Sequence, residues 1–501
     1  MHTNLRTFIQ QLRDEGQLLQ IDTPVDPYLE LAEIHRRVID EQGPALLFTN
    51  VKGKSFPIVT NLFGTRERVD MAFGPKPEKI IQQLVSNMDK LMPPKLSALW
   101  GLRDPLLSVM KTATESKNVS LKNAPVAQVH TTDVNLHELP AITSWHEDGG
   151  PFVTLPLVYT EHPVSKEHNL GMYRIQLYDE NTTGIHWQIH KGGGFHYYEA
   201  EKRNRALPIT LTVGGPPALI VSAIAPLPEM VPELIFSSLL MGEKLGMTDV
   251  DNHPHKMLSE EEFVFGGIVP PHVRRPEGPF GDHFGYYSLA HDFPVFHVQQ
   301  MWRREDAIYP ATVVGKPRQE DFFIGEYLQS LLSPLFPVVM PGVKALWTYG
   351  ETGFHALAGA IVRESYYKEA MAHAFRILGE GQLTLTKFLM VTDVHCDLSQ
   401  FSKFLEIVLA RFQPERDLLI VNDTSNDTLD YTGRKFNHGS KGVMLGIGDP
   451  VRDLLHTYNG PDIPRFPHVE VFCPGCLVIS GPKFEDAPQI GEDLIAYANE
   501  H

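Results

Sequence analysis

The spacing of apolar residues divides the chain into three parts. In the first part, Leu5, Phe8, Ile9 and Leu12 recur at helical spacing and the pattern ends at Gly16, which predicts a helix with a glycine stop. Similar patterns predict helices over 29–39, within 66–73 and within 78–92, and strands over 18–21 and 45–48. Residues 1–110 are therefore predicted to form a small N-terminal α/β unit.

The second part, residues 111–318, changes to short β-rich runs separated by turn residues. The predicted strands cover 152–160, 170–178, 185–190, 209–213, 218–225, 263–269, 295–301 and 308–314. Short helices are predicted near 195–204 and 230–241. Runs of this length and spacing favour an antiparallel barrel or sandwich over a parallel sheet.

The third part, residues 319–501, alternates between strand and helix patterns. Helices are predicted over 325–332, 366–378 and 398–412, and strands over 343–348, 385–392 and 418–421. This alternation is typical of βαβ units, so we expect a separate C-terminal α/β domain and an overall α+β class. The glycine-rich run at 438–442 lacks the spacing of a Walker A loop and is interpreted as a structural turn.

The charge balance narrows the classes of partner. The 501 residues carry 44 Lys and Arg against 61 Asp and Glu, a formal net charge of −17, and no basic run stands out. This excess of negative charge argues against nucleic acid and anionic membrane as partners. The first residues lack an apolar signal core, and the apolar run at 218–225 is too short to span a bilayer, so a soluble cytoplasmic protein is expected.

The cysteines exclude one class of fold. Three cysteines are too few for a disulfide framework. Cys473-Pro-Gly-Cys476 lacks the second pair that a structural zinc site needs. A thioredoxin-like redox role for this pair is an alternative that the sequence leaves open.

The stretch from Glu277 to Tyr287 has the composition of a shaped loop. Its sequence, Glu277-Gly-Pro-Phe-Gly-Asp282-His-Phe-Gly-Tyr-Tyr287, places two carboxylates among glycines and aromatic side chains. Apolar surroundings raise the pKa of a carboxylic acid, which lets it donate a proton near neutral pH. The alternative is an ordinary solvated turn, since Gly, Pro and Asp are the usual turn residues.

Arg174 is a cation within a predicted strand, in the run Asn169-Leu-Gly-Met-Tyr-Arg174. Regular alternation would place Met172 and Arg174 on the same face of that strand. A buried arginine needs a carboxylate partner, and Glu277 or Asp282 could serve. The paired carboxylate would have a lowered pKa, and the other, among apolar side chains, would have a raised one.

Three further residues carry oxygen or nitrogen ligands at predicted strand ends, namely Asn169, His190 and Glu233. An amide oxygen, an imidazole and a carboxylate together suit a divalent ion such as Mg²⁺ or Mn²⁺. Taken singly, His190 is a common kind of surface histidine, and Glu233 in the first turn of a helix is favoured there by the helix dipole. Spacing alone does not decide between these interpretations.

The same stretches resemble the UbiD-type reversible decarboxylases that use prenylated FMN. The most specific are 169–174, 277–287 and Glu233 after Pro226-Leu-Pro-Glu229. The match also includes Leu5-Arg-Thr-Phe, Ile21-Asp-Thr-Pro-Val-Asp26, Gly43-Pro-Ala-Leu-Leu-Phe48, Thr60-Asn-Leu-Phe-Gly64 and Arg304-Glu-Asp-Ala-Ile-Tyr309. The resemblance therefore covers nearly the whole chain.

The resemblance implies a fold, an assembly and a cofactor. A central split β-barrel would bind the flavin, and the C-terminal α/β domain would close over it and dimerise, giving homodimers or homohexamers. Asn169, His190 and Glu233 would hold Mn²⁺ or Mg²⁺ beside the flavin phosphate, with K⁺ nearby, and a flavin prenyltransferase would supply the cofactor. The other cofactor contacts would come from Leu170, Gly171, Met172, Tyr173, Arg174, Ala223, Ile224, Pro226 and Lys387.

The resemblance also implies a carboxy-lyase mechanism. The Glu-Arg-Glu network of the family maps onto Glu277, Arg174 and Asp282, with an aspartate one methylene shorter in the last position. The substrate would form a covalent adduct with the cofactor, which acts as electron sink while CO₂ leaves. Asp282 would then deliver the proton, and Arg174 with Glu277 would orient the substrate carboxylate.

The expected substrate is an aromatic, heteroaromatic or α,β-unsaturated carboxylic acid. A pocket lined by His297, Arg303, Arg304 and His395 would favour a furan or pyrrole carboxylate, because an added arginine suits a second carboxylate or a small heteroaromatic acid. The structural alternative is that Arg304 belongs to the common Arg-Glu-Asp motif and Arg303 faces solvent. The other functions left open are a hydroxybenzoate-type decarboxylase, a metal-dependent lyase or hydrolase without flavin, and a non-catalytic flavin or phosphate carrier.

Overall fold

The computed structural model describes residues 2–75, 77–79, 81–82, 85, 116–187, 192–225, 232–316, 318–433, 435, 437–463 and 465–500. Its chain divides into two compact units, Met1–Pro334 and Leu335–His501. The division of the chain at residues 110 and 318 stays a prediction. The predicted helix within 78–92 falls largely outside the described residues.

The N-terminal part of the first unit follows the predicted pattern. Helix α1 covers Leu5–Asp14, and the side chain of Asn4 caps it by accepting a hydrogen bond from the amide of Thr7 at 2.9 Å. The apolar stripe predicted for this helix is buried. There follow β1 (Leu18–Ile21), α2 (Glu30–Asp40), β2 (Ala45–Phe48), β3 (Ile58–Thr60) and α3 (Arg66–Phe73). Strand β1 pairs in parallel with β2, and β2 pairs antiparallel with β3.

The rest of the first unit is rich in strands. They are β4 (Lys117–Asn118), β5 (Val129–Thr131), β6 (Phe152–Val153), β7 (Leu157–Glu161), β8 (His168–Gly171), β9 (Ile175–Leu177), β10 (Thr182–Ile185), β11 (Leu207–Val213), β12 (Gly246–Thr248), β13 (Met257–Leu258), β14 (Phe263–Val269), β15 (Arg274–Glu277), β16 (His291–Arg303) and β17 (Tyr309–Pro310). The helices are α4 (Gly192–Lys202), α5 (Pro217–Ile224), α6 (Glu233–Met241) and α7 (Glu320–Leu332).

The main sheet has the strand order β6-β9-β10-β16-β14-β11-β7-β8, with β5 and β15 also paired to β16. Its pairs are antiparallel, as the short β-rich runs predict. Among the described strands, β6 and β8 do not pair with each other, so the sheet is not closed by hydrogen bonds.

A short crossover shows that this sheet is nevertheless rolled. Residues 172–174 connect β8, at one edge, to β9, which lies next to the other edge. A connection of this length reaches at most about 14 Å, so the two ends of the sheet must lie close together. Because pairing stops at Gly171, the regular alternation expected for Arg174 does not apply.

The run at 218–225 corrects one prediction, since it forms helix α5 instead of a strand. It begins at Pro217, a residue favoured at the first helical position, and the hydroxyl of Ser222 donates to the carbonyl of Ala218 at 2.8 Å. A continuous apolar run has no period, so its pattern does not separate a buried strand from a buried helix.

The second unit contains the predicted α/β sheet. Its strands are β18 (Val343–Thr348), β19 (Leu357–Val362), β20 (Phe388–Thr392), β21 (Leu418–Ser425) and β22 (His438–Gly446), and its helices are α8 (Phe336–Val339), α9 (Glu369–Leu378), α10 (Phe401–Leu409), α11 (Pro414–Asp417) and α12 (Ile490–Glu500). The strand order is β18-β19-β20-β22-β21, with β19, β20 and β22 parallel. A separate hairpin joins β23 (His468–Cys473) to β24 (Cys476–Ser480). The α+β class is confirmed.

The glycine-rich run at 438–442 corrects a second prediction. It is the beginning of the buried strand β22 and not a structural turn. Gly442 lies against the ring of Phe388, where an added Cβ would come within 2.6 Å of a ring carbon. The glycines here permit close packing of a strand.

One helical stretch among the described residues, Glu320–Val339, is long and apolar enough to cross a membrane. That property is weak evidence, because core helices of soluble proteins share it. The stretch begins with Glu320, a fully buried carboxyl that accepts a hydrogen bond from the amide of Phe63 at 2.8 Å.

Candidate active site

The loop that follows β15 is fixed by the strands and loops around it. The amide of Gly278 donates to Oε1 of Gln176 at 2.8 Å, and the amide of Phe280 donates to Oγ of Ser288 at 3.1 Å. The amide of Gly281 donates to Oδ1 of Asp148 at 2.8 Å. The solvated-turn alternative therefore does not describe this segment.

Trp145 explains why two glycines are needed beside this loop. Its indole nitrogen donates to the carbonyl of Val314 at 2.8 Å, which holds the ring in place. An added Cβ would come within 2.0 Å of the ring at Gly281 and within 2.6 Å at Gly315. Any larger residue at Gly281 would displace the loop next to Asp282.

Arg174 lies between the two acids of the loop. Its Nε and Nη2 donate to Oε1 and Oε2 of Glu277 at 2.7 and 3.0 Å. Its Nη1 donates to Oδ2 of Asp282 at 3.0 Å, and its guanidinium lies 4.8 Å from the ring centroid of Phe280. Glu277 is fully buried and Asp282 is 5% exposed. The two acids predicted to act with Arg174 therefore both contact its guanidinium.

Two histidines extend this network. The ring Nδ1 of His186 lies 3.0 Å from Oε2 of Glu277, and the backbone amide of His186 donates to the carbonyl of Arg174 at 3.2 Å. His283 contacts Oδ1 of Asp282 through its ring Nδ1. Side-chain contacts therefore connect, in this order, His186, Glu277, Arg174, Asp282 and His283.

Five residues of the site were not predicted from the sequence, namely His186, His283, Gln176, Ser288 and Asp148. The sequence contained a cue for two of these residues. His283 directly follows Asp282, and His186 directly follows a strand that the pattern predicted to continue to residue 190. Ser288 directly follows the loop but carries no distinctive pattern, whereas Gln176 and Asp148 are far from the loop in sequence and only the fold brings them to it.

The pKa of one of the two acids differs from the expectation based on the sequence. Burial by itself raises the pKa of Glu277, but Arg174 and His186 outweigh it and hold that pKa at about 2. Burial also raises the pKa of Asp282, but His283 and Arg174 outweigh it, so the pKa is lowered. The expectation that one of the two acids has a raised pKa is therefore wrong, because each acid contacts both Arg174 and a histidine.

His186 is neutral at neutral pH in this arrangement. Burial and the neighbouring Arg174 lower its pKa, against the opposing effect of Glu277. Nδ1 facing a carboxylate then carries the proton. Its Nε2 is buried without a hydrogen-bond partner among the described residues.

Of the three predicted metal ligands, Asn169 lies on β8 and Glu233 contacts the backbone of β8. Oε2 of Glu233, the first residue of α6, accepts a hydrogen bond from the amide of Leu170 at 3.3 Å. Asn169 precedes Leu170 on β8, and its side-chain amide donates to the hydroxyl of Tyr173 at 3.2 Å. His190 lies outside the described residues.

The chemistry of this pair fits a divalent cation. Burial raises the pKa of Glu233, and a nearby cation would reverse that shift. Among the described residues, no group of at least three His, Cys, Asp or Glu side chains is arranged to hold a metal. The predicted set differs from such a group in using the amide oxygen of Asn169.

The predicted cofactor contacts are distributed over both units. Leu170 and Gly171 end β8, and Met172 and Tyr173 lie in the crossover to β9. Ala223 and Ile224 end α5, whereas Pro226 lies outside the described residues. Lys387 belongs to the second unit, where its ammonium donates to Asp430 at 2.7 Å and contacts Thr432.

Two of the four predicted substrate residues, Arg303 and Arg304, are held by other contacts. Arg304 donates to Oε2 of Glu260 at 2.9 Å and lies 3.4 Å from Glu262, which matches the structural alternative for it. Arg303 donates to the carbonyl of Glu305 at 3.0 Å. His297 lies on β16, and His395 is exposed in the second unit. Substrate contacts at these four positions stay predictions.

Comparisons with known proteins show the family of the chain. Three family models match the chain, described as the N-terminal, Rift-related and C-terminal domains of 3-octaprenyl-4-hydroxybenzoate carboxy-lyase, UbiD, over residues 9–88, 117–317 and 322–446. The chain belongs to the UbiD family. It is a carboxy-lyase of the (de)carboxylase class.

The relatives include one named for an activity. A Chlamydia pneumoniae protein named as a subunit of 4-hydroxybenzoate decarboxylase is 54% identical over 475 residues, covering 95% of this chain and 80% of the relative. An Archaeoglobus fulgidus relative is 34% identical over 466 residues, covering 92% of this chain and 95% of the relative.

Two solved structures share the fold. The vanillic acid decarboxylase of Sedimentibacter hydroxybenzoicus in its closed form has a TM-score of 0.79 at 23% identity, covering 99% of both chains. The UbiD-class enzyme HmfF from Pelotomaculum thermopropionicum, in complex with FMN, has a TM-score of 0.72 at 23% identity, covering 92% of this chain and 97% of HmfF. At this identity the likeness concerns the fold.

Proposed function

We propose that this UbiD-family member catalyses the reversible, non-oxidative decarboxylation of an unsaturated or aromatic carboxylic acid with prenylated FMN. The observation that carries the proposal is the position of Arg174 between two buried carboxylates, Glu277 and Asp282. A carrier protein would have no use for this network, because buried charges are costly unless a function or a partner compensates them.

The residues at the end of β8 and in the crossover suit a flavin cofactor. The crossover leaves the strand ladder at Gly171, so the backbone near Met172 is available to a ligand. Asn169, Glu233 and His190 would hold Mn²⁺ or Mg²⁺ against the cofactor phosphate, with K⁺ nearby. HmfF has been solved in complex with FMN and, as an evolved dimeric form, with prenylated FMN. When bound, the prenylated flavin supplies the electron sink for loss of CO₂.

The side chain of Asp282 would supply the proton that replaces CO₂ on the substrate. Asp282 is ionised at neutral pH in this structure because its pKa is lowered. A substrate carboxylate bound nearby adds negative charge and favours protonation of Asp282, which can then deliver a proton to the carbon that loses CO₂. Arg174, fixed by Glu277, orients the substrate carboxylate.

We propose two candidate classes of carboxylic acid as the substrate. A furan or pyrrole carboxylate follows from the expectation of an added arginine in the pocket. The contacts that hold Arg303 and Arg304 weaken that argument. The name of the Chlamydia pneumoniae relative supports a hydroxybenzoate as the second candidate.

The direct test uses protein coexpressed with a flavin prenyltransferase, which would supply the cofactor. Its absorbance spectrum reports a bound flavin, and CO₂ release is then measured with benzoic, cinnamic, 4-hydroxybenzoic, furoic and pyrrole carboxylic acids. Release from furoic or pyrrole acid supports the first candidate, and release from 4-hydroxybenzoate alone supports the second. Flavin-loaded protein that releases CO₂ from none of them, and exchanges no product proton for deuterium, would contradict the proposal. Homodimeric or homohexameric assembly is part of the same proposal and is measured by light scattering.

A further inference from the structure

Asp282 is a buried acid with a partner on each oxygen. Oδ2 accepts from Arg174 at 3.0 Å, and Oδ1 contacts the ring Nδ1 of His283. The side chain of Asp282 is only 7% exposed, whereas that of His283 is 27% exposed. The histidine therefore lies between the buried acid and solvent.

The proposed reaction requires that this acid be recharged. Decarboxylation breaks a C–C bond, releases CO₂ and forms a C–H bond, so each turnover consumes one proton. If Asp282 supplies that proton, it is left as a buried carboxylate and must receive another before the next turnover. The path of the second proton is a separate question from the identity of the acid.

The other contacts of the network do not suit this task. Arg174 keeps its protons at any physiological pH. Glu277 has a pKa of about 2 and remains ionised. His186 faces Glu277, and its Nε2 is buried without a partner among the described residues. His283 both contacts Asp282 and reaches solvent, and an imidazole titrates near neutral pH.

We propose that His283 is the proton shuttle that recharges Asp282 between turnovers. The proposal rests on the proposed function. The imidazolium releases its Nδ1 proton to Oδ1 of Asp282, and the neutral ring then takes a proton from solvent or buffer. One proton enters and one leaves in each cycle, with no change of oxidation state.

The charges around His283 suit this role. Asp282 and the half-buried Asp321 of α7 both interact with it electrostatically and favour its protonated form. Burial raises the pKa of Asp321 to about 6, and its Oδ1 has no hydrogen-bond partner among the described residues. Cations close to the same loop include Arg174, on the far side of Asp282, and Lys316, packed on Gly285.

The test distinguishes a proton-shuttle role of His283 from a purely structural role in which it only holds the loop. His283→Gln keeps a polar side chain but does not titrate, and His283→Ala leaves space for free imidazole. With flavin-loaded enzyme, we expect kcat to fall by at least about tenfold in both variants, with KM little changed, and added imidazole to restore kcat in His283→Ala. The matched control is His272→Gln, a 64% exposed histidine paired with Glu201, which should keep wild-type kcat.

A second readout does not need the cofactor. In cofactor-free protein, NMR titration of the His283 ring should give a lower pKa in Asp282→Asn than in wild type, because the carboxylate favours the imidazolium. Wild-type kcat in His283→Gln, or a kcat in His283→Ala that imidazole does not raise, would overturn the shuttle while the decarboxylase function stands. A wild-type enzyme inactive on every acid would instead overturn the function.

Discussion

Arg174 and Glu277 are joined by two parallel hydrogen bonds, from Nε to Oε1 at 2.7 Å and from Nη2 to Oε2 at 3.0 Å. Only an arginine has the planar donor geometry for this pairing. Glu277 is fully buried and the side chain of Arg174 is only 10% exposed, so the pair is largely shielded from salt and water. The pair therefore fixes the guanidinium that also contacts Asp282.

The first prediction concerns the stability of this pair. Arg174→Ala leaves Glu277 buried without its main partner, and we expect the free energy of unfolding to fall by about 3–5 kcal/mol. Urea titration at pH 7 measures the change. The double variant Arg174→Ala, Glu277→Gln should regain part of the loss, since the unpaired charge is gone; no recovery would show that the cost is not electrostatic.

The second prediction concerns acid stability. The pKa of Glu277 is lowered from 4.5 to about 2 in the folded protein. A lowered folded-state pKa stabilises the protein above the unfolded value, and that stabilisation, about 3 kcal/mol, is lost as pH falls from 4.5 toward 2. Urea titrations across that range should show a steeper loss of stability in wild type than in Glu277→Gln. Parallel curves for the two proteins would rule out this linkage.

The third prediction concerns the hydrogen bond between Nδ1 of His186 and Glu277. His186→Asn keeps a donor near Nδ1 and so preserves the bond to Glu277, whereas His186→Leu removes it. We expect His186→Leu to lower the free energy of unfolding by about 1–3 kcal/mol and to lower kcat more than it changes KM. His186→Asn should recover most of both losses. Equal behaviour of the two variants would mean that the hydrogen bond to Glu277 is unimportant.

The fourth prediction concerns the proposed metal ligands. Glu233→Gln and Asn169→Ala should each reduce bound Mn²⁺, measured by elemental analysis, from about one per chain to near zero, and weaken flavin retention. His190→Ala should behave in the same way. Glu243→Gln, at an exposed glutamate just after α6, is the matched control and should keep its metal. Full metal content in Glu233→Gln would remove this residue from the site.

The fold was predictable where the sequence has a clear period. The stripe at Leu5, Phe8, Ile9 and Leu12 repeats at helical spacing and was located correctly. The run at 218–225 has no period, because every position is apolar or small, and its helix was mistaken for a strand.

The site was predictable where charge must be balanced. A cation inside a strand-rich region requires a buried acid, which predicts Glu277 or Asp282 as the partner of Arg174, and both contact it in the structure. The expectation that one of the two acids has a raised pKa was wrong, because the lowered pKa of Asp282 depends on where the ring of His283 lies. His186 was missed because β10 ends at Ile185, earlier than its apolar pattern suggests.

The central claim is that Asp282 protonates the carbon from which CO₂ leaves. The measurement that tests it most directly is CO₂ release by prenylated-FMN-loaded wild type and Asp282→Asn on the same acid, with flavin content and folding shown to be equal. We expect the variant to lose on the order of 10²–10⁴-fold in kcat while keeping its flavin. Wild-type turnover in a fully loaded Asp282→Asn would contradict the account.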